Sequence, residues 1–237
     1  MQLLQGNCLE LMKDIPDKSI DLVLCDLPYG VTAAEWDKAL PMGELWQHYN
    51  RVVKDDGAVV LFSIQPFTTK LIESNYKDFR YCWYWKKGHK TGAQYARYQP
   101  MRCIEDICVF YKKHPTYNPQ GLIKLDNPIH HEPHNSSLYR YRGNGNIQEY
   151  TNYPVHLLEF NSEAKRYHPT QKPVALLEYL IRTYTNKGDT VLDNTMGSGS
   201  VGVACLNTGR HFIGIELDEA FYNVACNRIY SLDRKVA

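Results

Sequence analysis

The stretch from Asp189 to Tyr230 constrains the fold more than any other part of the chain. It reads as a short apolar run "DTVLD", a glycine turn "NTMGSGSVG", a helix-like stretch "SVGVACLN", a second apolar run "HFIGIEL", and "DEAFYNVACNRIY" with helical spacing. Successive strands joined by a helix run parallel, because the helix carries the chain back to the edge from which the first strand set out. The expected class is therefore α/β, a doubly wound and mostly parallel sheet.

The rest of the chain fits that frame. "IDLVLC" (20–25), ending at Asp26, and "GAVVLF" (57–62) are continuous apolar runs of the kind that buried strands carry. "YCWYW" (81–85) and "DICVFY" (106–111) are aromatic-rich strands. "PVALLEYLIRTY" spaces Val174, Leu177, Leu180, Ile181 and Tyr184 along one helical face, with Pro173 at the first turn. Between 112 and 165 periodicity fades, and Pro, Asn, Gly and His accumulate. A segment that long without regular pattern reads as a functional insert or a mobile stretch.

The chain has 237 residues, of which 43% are hydrophobic, enough for a core and too many for a disordered chain. Its apolar runs fall short of a membrane span, and "MQLLQGNCLE" lacks the build of a signal peptide, so a cytoplasmic protein is expected. The 7 cysteines form no C-x-x-C pair, which points away from a zinc site or a disulfide framework. A net charge of +1 means that any polyanion must be met by a local patch.

Two turns carry chemistry. The first is Asp193-Asn-Thr-Met-Gly197-Ser198-Gly199, which follows a strand and opens a helix, with Gly202 completing G-x-G-x-x-G. Glycines there let a ligand approach the backbone, and Glu216 closes the next strand, where a carboxylate can grip ribose hydroxyls. A nicotinamide cofactor, S-adenosylmethionine and a turn with no ligand are all compatible with the glycines. Asp193 favours S-adenosylmethionine, since an acid at a strand end can face that ligand's amino group, but the turn alone does not decide.

The second turn is Asp26-Leu27-Pro28-Tyr29. If the strands ending at Asp26 and Asp193 are neighbours, both turns open onto one crevice, the usual ligand site of such sheets. An exocyclic amino group on a base is a poor nucleophile because its lone pair is delocalised into the ring. The Asp26 carboxylate and the Leu27 carbonyl can accept hydrogen bonds from its two N–H groups, draw it towards tetrahedral geometry and so activate it. Pro28 fixes the backbone, and Tyr29 offers a ring on which an unpaired base can stack. Asp, Pro, Tyr and Gly are also ordinary turn residues, and only the pairing with the glycine turn favours chemistry.

Taken together, these segments resemble the DNA amino-methyltransferases, in which a D-P-P-Y-type tetrad precedes a variable insert and an S-adenosylmethionine turn, the order of the family's β group. "QGNCLELMKDIPDKSIDLVLCDLPYG" resembles the opening block, "HPTQKPVALLEYLI" the block before the donor turn, and "DNTMGSGS" the D-P-F-x-G-S/T-G-T turn. The departures are Leu27 for the first proline, Thr195 where Phe is frequent, and Asn7 where Asp is usual. The resemblance implies Asp26, Leu27, Pro28 and Tyr29 as catalytic residues. It implies donor contacts from Asn7, Asp26, Thr170, Lys172, Asp193, Thr195, Gly197, Ser198, Gly199 and Glu216. Glu105 falls where the family often has His-Glu before a strand.

The implied organisation is a catalytic half (1–111), a target-recognition insert (112–165) and a donor-binding half (166–237). The implied partner is double-stranded DNA, with a homodimer and a restriction endonuclease as further expectations, in a bacterial cell or phage-infected host. An Asp-initial tetrad favours adenine N6, with cytosine N4 as the alternative. A nicotinamide oxidoreductase would leave the 26–29 turn unexplained, and a silent DNA-binding protein would leave both turns unexplained. Lys86, Lys87, Lys90, Arg97, Arg102, Arg140 and Arg142, with Lys112 and Lys113, are the expected phosphate contacts. "HHEPH" (130–134) is one residue short of H-E-x-x-H and is expected to be a surface loop without metal.

Overall fold

A computed structural model describes residues 1–30, 39–132, 135–136, 141–142, 145–163, 167 and 171–236; the side chains of 135, 136, 141, 142 and 233–236 are outside it. In chain order the elements are β1 (Gln2–Gln5), α1 (Cys8–Leu11), β2 (Ile20–Asp26), α2 (Met42–Val52), β3 (Val53–Ser63), α3 (Phe67–Ser74), β4 (Phe79–Thr91) and β5 (Arg102–Phe110). They continue with β6 (Ile123–His131), β7 (Asn135–Ser136), β8 (Tyr141–Arg142), β9 (Asn146–Thr151), β10 (Leu157–Phe160), α4 (Val174–Tyr184), β11 (Thr190–Asp193), α5 (Ser200–Thr208), β12 (His211–Glu216) and α6 (Glu219–Val236).

The principal sheet has 8 strands in the order β1-β12-β11-β2-β3-β5-β4-β10. Only β5 runs against its neighbours; the other pairings are parallel. The expected doubly wound sheet is therefore present, with one reversed strand. Along β2 the side chains alternate between two cores. Leu22 and Leu24 join the cluster under α4 and α5, whereas Val23 and Cys25 join the one under α1 and α2. Burial on both faces explains why this strand is apolar at consecutive positions.

Chain segments Met1–Asn118 and His156–Ala237 form one compact unit and Pro119–Val155 a second. This differs from the expected insert of 112–165. Leu157–Phe160 pairs with Tyr84–Lys87 in the principal sheet, so the edges of the irregular stretch belong to the larger unit. Inside the smaller unit β6 and β9 form an antiparallel ribbon, with regular structure that the composition concealed. Among the described residues no helix is long and apolar enough to cross a membrane.

Candidate active site

The strands ending at Asp26 and Asp193 are neighbours. Val191 pairs with Leu22 and Leu192 with Val23, so β2 and β11 deliver both acids to the same edge of the sheet. Thr195 ties the two turns together: its Oγ1 donates to the Asp26 main-chain oxygen at 3.1 Å and lies 2.9 Å from Cys25 Sγ. Leu27, where the resembled tetrad has proline, is buried in the same core cluster as Cys25 and Phe67. Side-chain packing thus anchors residue 27 where a ring would otherwise restrict it.

Around Asp26 the side chains form a chain of charges. The Tyr29 hydroxyl donates to Asp26 Oδ1 at 2.6 Å, which pins the Tyr29 ring 5.0 Å from the Phe67 ring. Lys172 Nζ donates to Asp26 Oδ2 at 2.6 Å and lies 3.3 Å from Glu105 Oε2. Glu105 in turn pairs with Lys87. Lys172 is 7% exposed and its ammonium sits 5.1 Å from the Phe62 ring centre. Burial pushes the Lys172 ammonium towards the neutral form, but the Asp26 and Glu105 carboxylates outweigh it and hold the group more basic than usual. Burial likewise disfavours an ionised Glu105, and Lys172 and Lys87 outweigh it, leaving that carboxyl below its usual range.

Strand reversal explains how Glu105 arrives here. β5 begins at the edge where its neighbours end, so a residue early in β5 meets residues late in β2 and β4. Glu105 pairs with Trp85 across the β4–β5 hairpin. Lys87, two residues beyond Trp85 on the same face, is its diagonal neighbour. The spacing alone does not reveal this ion pair, because the register is fixed only once the hairpin is formed.

In the glycine turn, Gly197 and Gly199 have φ of +51° and +77°, a backbone region that side chains rarely adopt. Gly202 serves another purpose: a Cβ there would collide with Ile229 of α6 and meet the Phe212 ring at 2.8 Å, so the third glycine permits close packing of α5 on both α6 and the sheet. Glu216 accepts from the Gly197 N–H at 2.8 Å and from the Asp218 N–H at 2.9 Å, which orients both carboxylate oxygens. Asp193 is 3% exposed, and among the described residues no cation pairs with it. Burial raises its pKa from 3.8 to about 7. A buried carboxylate without a counter-ion, beside an oriented second acid, suits a ligand that brings its own ammonium and its own hydroxyls.

The remaining expected residues separate into groups. Asn7 follows β1, but its Oδ1 caps α1 by accepting from the Leu9 N–H at 2.9 Å, so only its amide N–H groups remain for a ligand. The Ser198 hydroxyl and carbonyl are held by Arg228, at 2.9 and 2.6 Å. Sequence reasoning missed that arginine, as it missed Tyr49, whose hydroxyl donates to Asn194 at 2.6 Å beneath the turn. Lys172, expected at the donor, lies against Asp26 and Glu105. Thr170 lies outside the described residues.

The expected basic surface needs correction. Lys87 is not a free surface cation, because it is paired with Glu105 and its side chain is 12% exposed. Lys86 pairs with Glu159 at 3.0 Å. Lys112 and Lys113 lie beside Asn50 and Asp55, at the edge of the sheet opposite Asp26. Lys90, Arg97 and Arg102 are exposed, in the same stretch as exposed Tyr95 and Tyr98. Arg140 lies outside the described residues, and of Arg142 only its backbone in β8 is described. His130 and His131 belong to the ribbon strand β6 rather than a loop, while His134 is outside the described residues.

Comparison with known proteins agrees with this geometry. A model of the DNA methylase family that groups N6 and N4 enzymes matches residues 20–227. The type II methyltransferase M.HpaI of Haemophilus parainfluenzae is 29% identical over 97% of this chain and 74% of its own. The DNA adenine methyltransferase YhdJ of Escherichia coli is 26% identical over 96% of this chain and 82% of its own. Among solved structures, the M1.HpyAVI–SAM complex superposes with a TM-score of 0.67 at 25% identity, covering 96% of this chain and 98% of that one.

Proposed function

The chain belongs to the N6/N4 DNA methylase family, and from that premise we propose that it methylates the N6 amino group of adenine in DNA at the expense of S-adenosylmethionine. The observation that carries this reading is the junction of the two turns, in which Thr195 of the glycine turn donates to the main chain of Asp26. An acceptor turn and a donor turn fixed to each other by strand pairing and a hydrogen bond form a device for bringing two substrates together.

S-adenosylmethionine supplies a methyl group activated by a positively charged sulfur. The residues of this chain do the rest. Asp193 meets the donor's ammonium, Glu216 accepts from its ribose hydroxyls, and Gly197 and Gly199 allow close backbone approach, with Thr195 and Ser198 along the turn and Asn7 just past the end of β1. Asp26 accepts a hydrogen bond from one N–H of the target amino group and the Leu27 carbonyl from the other. Together they localise the nitrogen lone pair for attack. Pro28 limits the freedom of the tetrad backbone, and Tyr29 stacks on a base that has left the duplex.

Adenine is favoured by the acid that opens the tetrad and by the likeness to an enzyme named as an adenine methyltransferase. We assign phosphate contacts to Lys90, Arg97 and Arg102, and target recognition to the smaller unit, Pro119–Val155. The reading also includes a cytoplasmic setting, a homodimer and a cognate restriction endonuclease; light scattering tests the dimer.

The deciding experiment is nucleoside mass spectrometry on DNA from cells expressing the intact protein or Asp26→Ala. N6-methyladenine only with the intact protein is the expected result, with donor binding by the variant largely retained. N4-methylcytosine would move the assignment to the other base. Neither mark, from a folded protein that binds the donor, would overturn DNA as acceptor.

A further inference from the structure

Both carboxylate oxygens of Asp26 are engaged by side chains of the chain itself. Tyr29 occupies Oδ1 and Lys172 occupies Oδ2, each at 2.6 Å. A carboxylate oxygen has lone pairs for more than one donor. But a close ammonium withdraws the charge that an amino group, itself a weak donor, needs in its acceptor. The Lys172 ammonium is largely withdrawn from bulk water, since the residue is 7% exposed. If it is to loosen its hold on Asp26, it must be received inside the protein.

One acceptor is poised to receive it. Among the described residues Glu105 Oε2 is buried, makes no hydrogen bond, and lies 3.3 Å from Lys172 Nζ. Its other oxygen is engaged by Lys87. A buried carboxylate oxygen without a hydrogen bond is costly and calls for a reason. A shift of roughly half an ångström would bring Lys172 to the usual charge-assisted distance. The move leaves the charge of the cluster unchanged, with Lys87 and Lys172 balanced by Asp26 and Glu105.

We propose that Glu105 is a positioning residue for methyl transfer: it receives the Lys172 ammonium when the target amino group engages Asp26. Lys172 thereby masks the acid and releases it as the base arrives. This rests on the assignment of Asp26 as the acceptor of the target amino group.

The test measures single-turnover methyl transfer, with donor and DNA affinities determined separately. Glu105→Gln removes the receiving charge and leaves Lys172 held by Asp26 alone. The transfer rate is expected to fall at least tenfold, with both affinities within about twofold of the parent. Glu105→Asp, which keeps the charge but withdraws it by one methylene, should recover part of the rate. Should Glu105→Gln fail to fold, Glu105→Asp alone is decisive, being slower than the parent at unchanged affinities. In a Lys172→Met background, which removes the group to be received, changing Glu105 to Gln or Asp should cost nothing further. A Glu105 variant that transfers at the parental rate, a loss confined to donor affinity, or additive losses with Lys172→Met would each overturn the proposal. An intact protein that methylates no base would instead overturn the function itself, so the two failures are distinguishable.

Discussion

Replacing Asp193 by Asn should make the protein more stable and less able to bind its donor, and the size of the gain should depend on pH. The Asp193 carboxyl is buried and its pKa is raised from 3.8 to about 7. A raised carboxyl pKa means that the folded protein holds the proton more tightly than the unfolded chain does. The stability it contributes is therefore complete below pH 3.8 and is lost as pH climbs to about 7. At about 1.4 kcal/mol per decade in the proton equilibrium, the loss above neutrality is on the order of 4 kcal/mol. Asn carries no charge to bury, and its amide oxygen can still accept from the Thr195 N–H, now 3.2 Å from Asp193 Oδ1. Asp193→Asn should thus be stabler at pH 8 by up to about 4 kcal/mol, a rise in Tm of roughly 10 °C for a domain of this size. The gain should shrink to under half of that near pH 5, by the same linkage. Guanidinium unfolding of both proteins at the two pH values gives the difference directly. Glu216 is also raised by burial, but it is common to both proteins and cancels. Equal stabilities at pH 8, or a gap that stays constant down to pH 5, would refute the claim that an uncompensated charge is stored at Asp193. In the parent protein, donor affinity measured by calorimetry should rise as pH increases through about 7, as the carboxylate ionises.

Other consequences can be checked more briefly. Glu216→Gln places an amide where two backbone N–H groups now meet carboxylate oxygens, and should weaken donor binding roughly tenfold to a hundredfold by calorimetry. Gly202→Ala puts a methyl group 2.8 Å from the Phe212 ring and should cost about 1–3 kcal/mol, read as a lower Tm; an unchanged Tm would show that α5 can lift freely. Replacing Lys90, Arg97 and Arg102 together by Ala should reduce the slope of log affinity for DNA against log salt by about 3, and an unchanged slope would remove them from the interface.

How far the sequence was legible depended on whether the signal was local. The strand–turn–helix–strand pattern of 189–230, the run ending at Asp26 and the face of α4 are local, and the structure has them close to where the pattern put them. The two turns could be joined on paper because ligand sites in parallel sheets lie at strand ends. The ion pairs could not, because Lys87 and Glu105 meet only through hairpin register, and Lys172 meets Asp26 only through the tertiary fold. Reading Lys87 as a phosphate contact followed from composition, which counts cations without knowing which are neutralised. β10 escaped notice because it is four residues long, and the β6–β9 ribbon because β6 is almost wholly exposed and β9 has no buried residue to set an apolar alternation. Arg228 was invisible for a different reason: a cation on a helix announces nothing until the turn it clamps is in place.

The strand order also bears on how the protein is made. β1 and β2 are close in sequence, yet β12 and β11 lie between them in the sheet. During synthesis β1 has no sheet neighbour until the chain has been extended through residue 216, since its partner is β12. The Asp26 turn likewise waits for Thr195. Long-range pairings of this kind are slow to form and leave apolar strands exposed meanwhile. A nascent or truncated chain that stops before β11 carries the whole acceptor turn and none of its donor turn. Competence for methyl transfer therefore appears late, at the step that closes the middle of the sheet, and incomplete products cannot carry out the reaction.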